Sequence, residues 1–406
     1  MKSLHLVSRI IQTIGRACTC ILLLLGLFSP AAHAAEPEVR GTWLTTTAND
    51  HIANPDNTAR TMRRLRQIGL NTVYVECWKN GYTEFPSDVM RRTIGVAMKI
   101  NPSSSDTPAV QRDLLAECLR EAHRNDLVCI AWFEYGFMAA HQSTHNELRA
   151  RRDWLSLDQQ GSDVAKNGFV WLNPLHPDAQ SLLIGIVVEA IRKYPDLDGI
   201  QLDDRIVWPG LEMGYDLFTQ KLYADEHQGR RPPRDISDPQ WCAWRAARVE
   251  AFARRFVREV RAAAVQAGNP DLIISLSPGP HPWAMHNYLI DWPAWSRWRD
   301  NPTWDEYVPQ CYRLDYDSFR KSWQEQVEAM PSTRRKDLIA GIRLVGDGPD
   351  LPAEDLIKCV QLVRKTGGGG HCWWFSRGVL EVHADTIARL YDVKTNGHAP
   401  HPRNRH

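Results

Sequence analysis

"LDGIQLDDR", residues 197–205, begins as a buried strand and ends in two adjacent carboxylates, Asp203 and Asp204, followed by Arg205. Aspartate often starts a loop or caps a helix. The pair therefore acquires a chemical meaning only if other strands also carry polar groups at the same end.

Outward from this stretch, short β-rich runs alternate with amphipathic helical segments. Strands are predicted over 39–44, 72–77, 127–133, 199–203, 272–277, 307–312, 338–343 and 371–375. Helical patterns lie between them, among them 58–68, closed by Gly69, and 110–123, where Leu114, Leu115, Cys118, Leu119 and Ala122 form one apolar stripe. Eight such alternations predict an α/β fold, a single-domain (β/α)8 TIM barrel, with an open doubly wound sheet as the alternative. The longest connections follow strands three, four and five, at the strand ends where barrels of this kind build their sites. The glycines at 367–370 precede strand eight and read as a turn.

The bulk composition narrows the partners. Forty-nine basic and 48 acidic residues nearly cancel, which leaves no electrostatic footprint for nucleic acid or an anionic membrane. Sixteen tryptophans suit a large core or a surface that stacks on flat partners such as sugar rings. Lys2, Arg9 and Arg16, the apolar run 20–28 and Ala32-His33-Ala34 predict a signal peptide over 1–34. The apolar run is short for a membrane span, and no lipid-attachment cysteine follows it. The expected product is a periplasmic or secreted monomer: a barrel over 35–395, then a disordered tail over 396–406. Seven cysteines remain after residue 34, an odd number, and are read mainly as core.

At the strand ends stand Arg40 and Trp43, Glu76, Glu134, the Asp203–Asp204 pair, Gln310 and Tyr312, Arg343, and Trp373 with Trp374. Acids, amides and aromatics around one mouth make a polar cleft with stacking walls, which suits a carbohydrate. Glycosidic cleavage needs a protonated carboxyl group at the leaving oxygen and a second group to stabilise the oxocarbenium-like centre, either a carboxylate or the substrate's own acetamido group. Neighbouring carboxylates in a partly dry site push their pKa values apart. The candidate catalytic residues are Asp203, Asp204 and Glu134, and the candidate substrate contacts are Trp43, Glu76, Asn173, Gln201, Gln310, Tyr312, Arg343, Trp373 and Trp374. On alternation, Gln201 and Asp203 share the inward face, and Asp204 points away unless the strand has already turned. Glu76 has a structural reading too, as partner of Arg40 across adjacent strands, and Asn173-Pro174 also reads as a turn.

The pieces "VRGTWLTT" (39–46), "NTVYVECW" (71–78), "AWFEYGF" (131–137), "VWLNPLHPDAQ" (170–180), "LDGIQLDD" (197–204), "ISLSPGP" (274–280), "VPQCYR" (308–313) and "GIRL" (341–344) together resemble the glycosyl-hydrolase-like family-ten domain. This is a barrel family of bacterial envelope and secreted proteins. It includes a glycosidase of peptidoglycan glycan strands stripped of their peptide stems, and the resemblance implies that substrate class here; it also raises Asn173 as a substrate contact. The stretch 198–203 further resembles the strand-four signature of chitinase-type barrels, whose catalytic Glu would fall at Arg205.

His141 and His145 have helical metal-ligand spacing but no neighbouring acid in a metalloprotease pattern, and read as a solvated helix. No metal or cofactor is expected. No Gly-x-Ser-x-Gly elbow is present. A non-catalytic glycan-binding barrel and a metal-dependent polysaccharide deacetylase stand as alternatives to a glycosidase.

Overall fold

The structure, a computed structural model, describes residues 35–99 and 112–403. The expected signal peptide, the first two residues of the helix predicted over 110–123, and residues 404–406 lie outside the described residues. Among the described residues, no helix is long and apolar enough to cross a membrane.

Eight parallel strands form one sheet: β1 Val39–Leu44, β2 Thr72–Glu76, β3 Val128–Phe133, β4 Gly199–Leu202, β5 Ile273–Leu276, β6 Glu306–Tyr307, β7 Ile339–Arg343 and β8 Gly370–Trp374. They lie in the order β6-β5-β4-β3-β2-β1-β8-β7, and isolated bridges Tyr307 to Leu338 and Gln310 to Gly341 join the two edges. This is the nearly closed wall of a (β/α)8 barrel. Seven strands lie within one residue of the sequence prediction. The exception is β6, expected over 307–312, whose regular pairing stops at Tyr307. Pro309 lacks the N–H that would continue the ladder, so the wall is weakest between β6 and β7.

Local signals set the helices. Pro55–Gln67 starts on Asn54, whose side chain accepts from Asn57 N at 2.9 Å, and is followed by Gly69 at φ +102°, which reverses the chain into β2. Pro177–Lys193 starts on a proline and buries Leu182, Leu183, Ile186, Val187, Ala190 and Ile191 on the way to β4. It packs against Pro239–Gln266, which leads to β5. Each large apolar side chain buried this way contributes about 1.5–3 kcal/mol, so the two strands that carry the acid pair and its neighbours rest on a firm outer layer.

The inside of the barrel is filled by an aromatic layer around Trp43, with Tyr74, Trp132, Tyr312 and Trp374 at ring-centroid distances of 5.8, 6.2, 6.3 and 5.9 Å. On β8 the neighbouring Trp373 takes the opposite side. Fully buried outside the barrel wall, it donates its indole N–H to Tyr391 Oη at 2.9 Å. All seven described cysteines are free thiols, six of them buried.

The segment expected to be a disordered tail is docked as far as Arg403. Ala399 O accepts from Asn71 Nδ2 at 2.9 Å, and His401 lies buried with Nε2 3.0 Å from Glu306 Oε1. Glu306 Oε2 in turn accepts from Tyr74 Oη at 3.1 Å. Arg403 reaches Asp305 at 3.3 Å and Asp337 at 2.7 Å, the residues just before β6 and β7. The tail therefore staples the weak side of the wall at its base. Composition had concealed this because a buried polar contact needs only one or two residues of a polar segment.

Candidate active site

At the opposite end, where the strands finish, four carboxyl groups gather around Lys79 and Arg205. β4 stops at Leu202 and the chain turns, so Asp203 and Asp204 are not constrained by strand alternation. Asp203, 2% exposed, is held by four donors: Asp204 N at 2.8 Å and Gln310 Nε2 on Oδ1, Trp132 Nε1 at 3.2 Å and Arg205 Nη1 at 2.8 Å on Oδ2. Burial and the adjacent Asp204 raise its pKa to about 7, against the pull of Arg205 and the hydrogen bonds. Asp204 is the open member. Its side chain is 32% exposed, while its Oδ1 is turned inward, buried and without a hydrogen-bond partner, 3.6 Å from Arg205.

Glu134, one residue beyond β3, lies beside Glu76 at the end of β2. Burial, then the charge of Glu76, push Glu134 well above the ordinary carboxylate range. Burial would also raise Glu76, but the hydrogen bond from Glu134 and the ammonium of Lys79, 2.6 Å away, hold it at about 2. Thr46 N and Oγ1 also donate to Glu76, each at 2.5 Å. The two acids thus titrate together, with Glu134 pushed up and Glu76 held down. Lys79 also lies 3.4 Å from Glu134, and Arg205 links this pair to the aspartates through Glu134 Oε1 at 3.5 Å. Gly136 makes that link possible: at φ +46°, a Cβ there would stand 2.4 Å from the carbonyl oxygen of Arg205.

Three adjoining hollows of about 100, 300 and 230 Å³ form an open groove along this mouth. Asp204, Gly279 and Trp283 line the first two, and Asn167, Trp283 and Tyr288 are common to the first and third. Trp283 is 50% exposed and packs on Tyr288 at a centroid distance of 5.3 Å. Phe169 and Trp171, from an antiparallel hairpin with Met138–His141, complete one wall. A larger hollow, about 620 Å³, lies among residues that precede the strands, such as Asp198 and Asn269, at the end away from the acids.

The structure brings together Glu76, Glu134, Asp203, Asp204, Gln310, Tyr312 and Trp374. Tyr312 and Trp374 are half-buried and stacked at 5.6 Å. Other expected contacts lie elsewhere. Trp43 and Gln201 are buried beneath the mouth, joined by Trp43 Nε1 to Gln201 Oε1 at 2.8 Å. Asn173 is fully buried and donates to Asp216 at 2.9 Å and Thr219 at 2.8 Å, because its turn anchors the helix Leu217–Glu226. Arg343 is spent on the carbonyls of Asp347 and Pro349, at 2.7 and 2.8 Å, and so pins its own loop. Trp373 belongs to the outer core. Glu76 pairs with Lys79 rather than Arg40, which sits at the barrel base on Glu38 at 2.7 Å. His141 ends a hairpin strand and His145 lies in a loop, so the two do not share a helix.

Sequence reading missed Lys79, Trp283, Tyr288 and Arg313. Lys79 was findable three residues after Glu76. Trp283 directly follows the proline-rich stretch 278–282, where no periodicity assigns a face.

The sequence profile of the family described as glycosyl hydrolase-like 10 matches residues 38–343. No curated protein matches the chain. Among solved structures, the chain is similar to the PgaB (BpsB) glycoside hydrolase domain from Bordetella bronchiseptica, with a TM-score of 0.60 at 14% identity, over 88% of this chain and 98% of that one. It is also similar to the endo-beta-1,4-mannanase from Thermotoga petrophila, with a TM-score of 0.51 at 11% identity, over 90% and 78% of the two chains. At these identities the likeness is one of fold.

Proposed function

The chain belongs to the glycosyl hydrolase-like 10 family, and on that footing we propose that it is an exported glycoside hydrolase of an amino-sugar polymer, namely peptidoglycan glycan strands that have lost their stem peptides. The observation that carries this reading is Asp204, a carboxylate whose side chain is 32% exposed and lines a tryptophan-walled groove beside the buried Asp203.

Hydrolysis there divides the work among the acids. Asp204 is the group that reaches the sugar. Asp203, fixed by its four donors, stabilises positive charge at the reaction centre or orients the substrate's acetamido group. The proton for the leaving oxygen comes from Asp204 or from Glu134, whose pKa burial and the charge of Glu76 push well above the ordinary carboxylate range. Trp283 offers a flat apolar face to a sugar ring, and the open ends of the groove suit a polymer.

The test is incubation of the purified protein with intact sacculi, amidase-stripped sacculi and chitin, followed by analysis of released sugars. Soluble glycan fragments from the stripped sacculi alone are expected. Retention on stripped sacculi without release would make the protein a glycan-binding barrel, and release from chitin alone would move the substrate class.

A further inference from the structure

We infer that Arg313 is a specificity determinant that reads a free carboxylate carried on the glycan. This rests on the reading of the groove as a glycan site. Arg313 lines the groove beside Asp204, Gly279, Trp283 and Gln310. Lys79 is committed to Glu76 and Glu134, and Arg205 to Asp203, Asp204 and Glu134, while Lys166 stands exposed at the third hollow, away from Asp204. Among the described residues Arg313 forms no ion pair, and its one side-chain hydrogen bond goes from Nη1 to the neighbouring Tyr312 carbonyl at 2.8 Å. A half-buried guanidinium with open donors beside an aromatic platform is matched by a planar anion on a sugar ring, because guanidinium and carboxylate pair in bidentate fashion.

The chemistry of the proposed substrate supplies that anion. In intact peptidoglycan the lactyl carboxyl of each muramic acid is tied up as the amide of the stem peptide. Removing the stem frees a carboxylate on every second sugar. A guanidinium at the groove would then favour stripped strands both because the bulky peptide is gone and because a charge has appeared. Chitin, which carries no such group, would gain nothing from it.

The test uses the full chain with stem-free oligosaccharides bearing free lactyl carboxylates, and the same oligosaccharides as methyl esters. Binding is measured by calorimetry and cleavage by product analysis, for the parent, Arg313→Gln and Arg313→Lys. The parent is expected to bind the free acid about tenfold more tightly than the ester, in line with one charge-assisted contact, and the preference should shrink with added salt. In Arg313→Gln the acid-to-ester ratio should fall close to one, with Arg313→Lys between. Cleavage of both forms with equal binding would overturn the inference and leave the glycosidase reading standing. Preferential binding of the acid with no cleavage would do the reverse. Binding of neither form would overturn both, and an equal loss for both forms in Arg313→Gln would overturn the role of Arg313.

Discussion

Arg205 donates to the carboxylate of Asp203 at 2.8 Å from two residues along the chain. This guanidinium opposes the burial and the Asp204 charge that lift Asp203 to about 7. If the ionised form works, activity should decline as pH falls through about 7. Arg205→Gln removes a charge that lowers the pKa, so the decline should move to higher pH in a profile of kcat/KM. The stability sign also follows. Between about pH 4 and 7 the folded chain holds a proton that the unfolded chain releases, so this carboxyl group costs stability as pH rises through that window. Thermal melting of Asp203→Asn should therefore fall less than that of the parent over the same range.

Asp204→Asn should lower turnover by about 10²- to 10⁴-fold, the range for a positioned acid or base, with little change in melting temperature because the side chain is a third exposed. Asp203→Asn should lower turnover by a similar factor. Steady-state rates on a glycan that the parent cleaves decide the matter. Full activity in both variants would make the pair a loop cap and pass the role to Glu134 with Glu76.

Two tryptophans should separate binding from folding. Trp283→Ala should weaken glycan binding about tenfold, from roughly 1–2 kcal/mol of lost apolar contact, while melting barely moves. Trp373→Ala should cost about 3–5 kcal/mol of stability, read by denaturant unfolding, because it empties a site in the outer core and leaves the Tyr391 hydroxyl with His371 alone. Equal melting temperatures for the two variants would contradict the assignment of Trp283 to the groove surface and Trp373 to the outer core.

His401→Ala leaves the buried Glu306 with Tyr74 but without its ring partner, and should cost about 3 kcal/mol. Burial alone would raise the pKa of Glu306, yet the hydrogen bond to His401 holds it below the ordinary value. A depressed carboxyl contributes stability above its unfolded pKa, about 4.5, and loses it as pH falls through the lowered value. The gap in melting temperature between parent and His401→Ala should therefore be widest above about pH 5 and narrow in acid.

The fold was legible because β-rich runs and helical stripes alternate eight times, and because Gly69 and the N-terminal prolines punctuate them. The acids were legible as a set because each follows an apolar strand. Their orientation was not. Trp373 and Trp374 are consecutive on one strand and must face opposite sides, so only one could reach the mouth, and only the packing of Tyr391 decides which. Asn173 anchors the distant helix Leu217–Glu226 and Arg343 pins its own loop, roles that only the folded structure reveals. Trp283 opens the short helix Trp283–Tyr288, too brief for a sequence period to assign it a face.

Arg403 spans Asp305 and Asp337 at the place where β6 and β7 share only two bridges. Local opening should begin along this line, where few backbone hydrogen bonds must break together. Amide protons of 308–312 should then exchange with solvent sooner than those of β2 or β3, and Arg403→Ala should hasten that exchange further. Gln310, the donor to Asp203, rides on the same segment, so its lifetime in place is governed from the far end of the barrel.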